Sequence, residues 1–193
     1  HHVNAWEEGD DIVLDIDAYE DNRIIDAFFL DRLANARSAL PFGHLRRYRI
    51  PLKGKKNGRL KFETLSDECA ELARFDAERY LMDGAYRYVY ASSINKGNPT
   101  GFYNQVAKID VKAGQAWTWY CPGHYPGEPV FVGRPGRSRE DDGVLLSVVL
   151  DANEGRSYLL VLDAGSLGEI GRAAVPHPIL FGYHGEYFGG TGI

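Results

Sequence analysis

The chain has 193 residues, 44% hydrophobic and 25% charged, a balance ordinary for a soluble globular protein with one core or a share of a larger one. A net charge of −5 argues against a surface that neutralises phosphates, so no nucleic-acid partner is expected. Cys69 and Cys121 are too few for a disulfide framework, there is no signal peptide, and no apolar run approaches the ~20 residues of a membrane span, so a reduced, cytoplasmic setting is expected.

Twelve tyrosines, nine phenylalanines and twenty-two glycines predict an all-β chain of short strands between turns. The opening "HHVNAWEEGDD" reads as the end of a strand entering an acidic turn, followed by a strand over Ile12–Ala18. "NRIIDAFFLDRLANARSAL" carries the one helical i, i+3, i+4 pattern. A strand follows over Leu45–Leu52; its Arg46 and Arg47, with Lys53, Lys55 and Lys56, read as a solvated strand and turn. Further strands are predicted over Tyr86–Ser92, Gln105–Val111, Ala116–Tyr120, Pro129–Gly133, Val144–Asp151, Ser157–Asp163 and Arg172–Pro176. Between them lie the breakers "KAGQ", "CPGHYPGE", "ANEGRS" and "DAGSLGE".

The run "VLLSVVL" is apolar at nearly every position, which predicts a middle strand buried on both faces. With its neighbours it forms a meander of the kind found in a propeller blade; a sandwich gives similar strand spacing. No linker composition interrupts residues 1–193, which read as one domain or a piece of one.

Of six histidines, none forms HExxH or a zinc-finger spacing, and by spacing alone each reads as structural or surface. His184 has the strongest local case, emerging between Gly182 and Gly185 in "PHPILFGYHGEYF", where an aromatic, water-poor loop suits a neutral metal ligand or a hydrogen-bonded core histidine. "REDD" at Arg139–Asp142 reads as a solvated hairpin tip, and "GGTG" lacks the strand–helix context of a phosphate loop.

Four stretches, "HHVNAWEE", "ELARFD", "YPGEPVFVGRPG…EDDGVLLSVVLDA" and "PHPILFGYHGEYF", together resemble the carotenoid cleavage oxygenases, a family that includes the visual-cycle retinoid isomerase. They occur in the family's order and span almost the whole chain. The resemblance implies a seven-bladed β-propeller with an axial Fe(II) held by four histidines. Residues 1–193 then form its C-terminal part, about three blades, with the N-terminal part absent. His1, three residues before Asn4, matches one iron ligand and His184 the last; His2 is the variable neighbour. Glu71 and Glu128 match glutamates that support ligand histidines, and are expected to serve His1 and His184. Phe181 and Tyr183 are cavity-wall candidates, with core packing an equal alternative. Ala73 and Leu180 stand where the family usually has proline. His124 and His177 match no ligand position and are expected to be structural.

The "EDDGVLLSVVLDA" and "YRYVYA" stretches look closest to the β-carotene oxygenase and retinoid isomerase branch. The implied activity is O2-dependent cleavage of a C=C bond of β-carotene or an apocarotenoid to aldehydes such as retinal. Such substrates sit in bilayers, which implies peripheral membrane contact. Cleavage of a stilbene by the same family, or a non-catalytic propeller fragment, are the alternatives.

Overall fold

The computed structural model describes residues 1–34, 40–53 and 60–189. Three four-stranded antiparallel meanders follow one another along the chain. The first joins β1 (His2–Glu8), β2 (Asp11–Ala18), β3 (His44–Pro51) and β4 (Phe62–Cys69) in sequence order. Gly9 turns β1 into β2 with φ +65°, a backbone conformation that favours glycine. Between β2 and β3 lie two short helices, α1 (Arg23–Ala27) and α2 (Leu30–Ala34).

The second meander is β5 (Glu71–Arg74), β6 (Tyr88–Ser93), β7 (Gln105–Asp110) and β8 (Gln115–Tyr120), with a one-turn helix, α3 (Ala77–Tyr80), after β5. In the third, β10 (Val130–Gly133), β11 (Gly143–Asp151), β12 (Arg156–Asp163) and β13 (Glu169–Ala174) follow in order. A short β9 (His124–Pro126) pairs with the far end of β11. This is the expected all-β architecture, in three blades.

The apolar core lies between neighbouring blades. Val3, Leu45, Leu65, Tyr86, Val89 and Ile109 fill the space between the first and second. Tyr90, Val106, Leu145, Val149, Leu160 and Leu162 fill that between the second and third. Packed from both sides, β7 is buried at every position. Leu40, Cys69, Ile94 and Tyr103 form a smaller cluster, with Ile24, Phe28 and Phe102 against it.

Several local expectations change. The helical pattern over residues 22–40 is realised as two five-residue helices, and positions 35–39 lie outside the described residues. The strands β4, β5 and β9 were not legible, because they are polar or very short. The last strand, Glu169–Ala174, starts three residues and ends two residues earlier than predicted.

The "VLLSVVL" strand is central but not packed on both faces. Leu145, Ser147 and Val149 face the core, whereas Val148 is 42% exposed. Arg46 and Arg47 are not solvated: Arg46 is buried over the Phe62 ring, and Arg47 makes a bidentate pair with Asp15 at 2.8 and 2.7 Å. Lys55, Lys56 and the end of "GGTG" lie outside the described residues. The 139–142 loop is no free tip either. Glu140 accepts the Arg87 and Tyr88 N–H groups at 2.7 Å, and Asp141 pairs with buried Lys108 at 2.8 Å, joining the third blade to the second.

The first seam is also polar at its centre. Asp15, fully buried, accepts from Arg47 and from the Tyr86 hydroxyl across the blade boundary. Truncating it leaves a largely buried guanidinium without its partner. Asp15→Ala is expected to lower unfolding stability by about 3–5 kcal/mol, measured by urea denaturation. A change below about 1 kcal/mol would show that the seam does not depend on this pair.

Candidate metal centre

The first strand of each blade is irregular, and His1, Glu71 and Glu128 sit at or beside those irregularities. The β1–β2 register shifts between His2 and Asn4, and the β5–β6 register shifts between Glu71 and Arg74. Leu72, beside Glu71, holds φ +52°, an uncommon conformation for a branched residue. In the third blade the edge along β11 breaks between Pro126 and Val130, which places Glu128 in the gap. Gly127 keeps the gap tied to β11, donating to Val148 O at 2.9 Å and accepting from Ser147 Oγ at 2.9 Å. Such bulges re-aim side chains that a regular ladder would direct elsewhere.

His1 and Glu71 meet across the first blade boundary, with His1 Nδ1 against Glu71 Oε1. Glu71 Oε1 also accepts Leu72 N at 3.1 Å, and Oε2 accepts the Tyr19 hydroxyl. Tyr19 in turn lies 2.8 Å from the Tyr103 hydroxyl. Burial, the Tyr103 hydroxyl and the Glu71 carboxylate all push the Tyr19 phenol upward, so it stays protonated and donates.

His184 and Glu128 form a second pair, Nδ1 to Oε1 at 3.0 Å, while Gly185 N donates to Oε2 at 2.7 Å. The two imidazoles stand edge to face, with ring centroids 5.1 Å apart. Because Nδ1 of each ring faces a carboxylate, Nε2 is the nitrogen left for a ligand. The carboxylates are sequestered and the rings are not: the Glu71 and Glu128 side chains are 6% and 4% exposed, those of His1 and His184 37% and 59%.

Both histidines open onto a cavity of about 870 Å³, walled by Phe28, Phe102, Tyr125, Leu159 and the outer face of β11 at Leu146 and Val148. Phe181 and Tyr183 line it as well, and Phe181 stacks on Phe102 at 3.9 Å. That explains the nearly continuous apolar run of β11: one face meets the core, the other the cavity.

The remaining histidines stand apart from this convergence. His124 is buried and lies 2.9 Å from the Tyr158 hydroxyl, His2 and His177 are exposed, and His44 stands in β3 with Nδ1 buried. Among the described residues no group of three or more His, Cys, Asp or Glu side chains forms a metal cage. The His1–His184 pair therefore fits part of a coordination set: two imidazoles, each held at Nδ1 by a buried carboxylate.

A profile of the family described as RPE65, retinal pigment epithelial membrane protein, matches residues 1–189. The chain belongs to this family. Carotenoid cleavage dioxygenase 8 from Arabidopsis thaliana is 36% identical over 96% of the chain and 34% of its own length. The human β,β-carotene 15,15′-dioxygenase is 33% identical over 97% of the chain and 38% of its own length. A crystal structure of cobalt-substituted ACO from Synechocystis superposes with a TM-score of 0.81 at 28% identity, covering 96% of this chain and 38% of that one. The chain thus spans a little over a third of the relatives it matches. Its membership extends to carotenoid cleavage dioxygenases at large.

Two buried residues to which the sequence assigned no role, Asn4 and Asp17, complete the surroundings of the His1–His184 pair. Asn4, 1% exposed, accepts Ala5 N and Met82 N at 3.0 Å and donates to Tyr80 O and Asp83 O at 3.0 and 3.1 Å. It thereby fastens the strand after His1 to the loop after β5. Asp17, 4% exposed, accepts Ala73 N at 3.0 Å through Oδ2, while Oδ1 has no partner among the described residues. Proline at position 73, usual in the family, has no N–H to give. The Ala73 departure therefore supplies Asp17 with its hydrogen bond.

Burial and, secondarily, the Glu71 carboxylate raise the Asp17 carboxyl to about 7, against the opposing Ala73 N–H. The fold favours the protonated form, so this group's contribution is complete below the ordinary carboxylate range and drains away as pH rises to about 7. Asp17→Asn should flatten that part of the stability–pH profile between pH 4 and 7, read as melting temperature against pH. An unchanged slope would show that Asp17 ionises freely in the fold. Ala73→Pro should cost about 1–3 kcal/mol by removing the donor.

Proposed function

We propose that the complete protein is a non-haem Fe(II) dioxygenase that cleaves one C=C bond of a carotenoid or apocarotenoid with O2, giving apocarotenoid aldehydes such as retinal. The observation that carries this reading is the pair of carboxylate-held imidazoles at the head of an apolar, aromatic-walled cavity. The naming of several relatives as carotenoid dioxygenases supports it.

His1 and His184 would hold Fe(II) through Nε2. When bound, Fe(II) supplies the redox chemistry by which O2 divides the double bond into two carbonyl groups. The chain's own work is placement and exclusion. Glu71 and Glu128 accept the Nδ1–H of each ring, which fixes the tautomer and strengthens Nε2 as a donor. Phe28, Phe102, Tyr125 and Phe181 present flat apolar faces to a conjugated polyene and keep water away from it. Tyr19 and Tyr103 direct their hydroxyls at Glu71 and at each other, which takes polar hydrogens off the cavity wall. Peripheral membrane contact belongs to the same proposal, as the route for a bilayer-dissolved substrate; no described helix is long and apolar enough to cross a membrane.

The decisive assay loads the complete gene product with Fe(II), incubates it in air with β-carotene in detergent, and separates products by HPLC–MS. An apocarotenal that disappears in His184→Ala is the expected result. Intact carotenoid from iron-replete protein, with cleavage of a hydroxystilbene, would transfer the activity to stilbenes. Protein that retains no iron would identify a non-catalytic propeller.

Iron retention is a separate readout. Glu128→Gln is expected to weaken Fe(II) binding about 10–100-fold in anaerobic equilibrium dialysis. Equal retention would mean that Glu128 does not support the ligand.

A further inference from the structure

The segment from Val175 to Gly189, which carries His184, contains no helix or strand. Its place over the cavity is set by a few contacts. Ile179 N donates to Ser157 Oγ at 2.9 Å, Phe181 stacks on Phe102, and Glu128 takes both His184 Nδ1 and Gly185 N. Beyond Gly185 the chain is tied to the second blade by the Arg74 side chain. Arg74 Nη2 donates to Glu186 Oε2 at 2.8 Å, and Arg74 Nη1 lies 3.6 Å from Glu128 Oε1. One guanidinium therefore faces the carboxylate that holds His184 and the carboxylate two residues beyond it.

Arg74 and Glu71 sit at opposite ends of β5, a four-residue strand with a bulge between them. Glu71 fixes His1, and Arg74 fixes the tail bearing His184. The strand thus joins both imidazoles to one rigid piece of backbone. From this arrangement we infer that Arg74 is a positioning residue of the metal centre, latching the C-terminal tail through Glu186 and Glu128 so that His184 stays in register with His1. This rests on the metal-centre reading above.

The latch is worth little as a stability device. Glu186 is 54% exposed at its side chain, and an ion pair so open to water adds little to folding stability. Its effect is geometric: an unstructured tail loses much of its freedom when one more point is pinned. A pure charge effect would run the other way. A cation beside Glu128 makes that carboxylate a weaker acceptor, so removing it would strengthen His184 as a donor.

The test titrates the metal-free complete gene product with Co(II) under argon, following visible d–d absorption. Arg74→Met should weaken Co(II) binding by about tenfold. Glu186→Gln, a change confined to the exposed tail, should weaken it in the same direction. The double variant should be no weaker than Arg74→Met alone, because both break one contact. Arg74→Lys should recover most of the affinity, and melting temperatures of the metal-free proteins should stay within about 3 °C of the parent. Unchanged or tighter binding in Arg74→Met and Glu186→Gln overturns the latch while leaving the metal centre standing. A parent protein that binds no Co(II) overturns the metal-centre reading itself, and the latch with it.

Discussion

Two carboxylates withdrawn from water govern this site. An ionised carboxylate in a protein interior is costly unless its oxygens are satisfied. Glu71 receives the Leu72 N–H, the Tyr19 hydroxyl and the His1 ring; Glu128 receives the Gly185 N–H and the His184 ring, with Arg74 close by. Each imidazole is then held by a carboxylate that other donors have already fixed in place. That is why two rings with substantial exposure stand in a fixed edge-to-face relation.

The need to bring those carboxylates out of their strands explains the irregular geometry nearby. A regular ladder sends successive side chains to opposite faces of a sheet and never along the sheet's own edge. Shifts of register at His2/Asn4 and Glu71/Arg74, the positive φ of Leu72 and the gap around Glu128 all fall where a side chain must reach a neighbouring blade. Rigidity comes from the seams: Asp15–Arg47–Tyr86 on one side, Lys108–Asp141 and Arg137–Asp76 on the other. These buried pairs fix the register between blades, and apolar slabs on either side supply most of the driving force.

The cavity follows from the same plan. Its floor is the outward face of β11 and β12, and its rim is the helical excursion between β2 and β3 together with the tail. A strand that lines a cavity needs apolar residues on both faces for two different reasons, packing inside and contact with an apolar ligand outside. Residues distant in the chain, such as Phe28, Phe102 and Phe181, become one aromatic surface only through this closure.

Turn chemistry and alternation made most strands legible from sequence: β2, β3, β6, β7, β8, β10, β11 and β12 all fall within two residues of expectation. The four ordered motifs pointed to His1, Glu71, Glu128 and His184, and the fold brings these four side chains together as two His–Glu pairs. Beyond the His1–Glu71 pairing that the resemblance implied, the sequence carries no sign of partners across blades. Asp17 and Ala73 are 56 residues apart, Asn4 and Met82 are 78 apart, and Arg74 and Glu186 are 112 apart. The charged stretches Arg46–Arg47 and Arg139–Asp142 read as solvated for the same reason, because a charge looks like surface until its counter-charge is known. Local periodicity reports which way a residue faces. Only the packing of one blade against the next decides what it meets there.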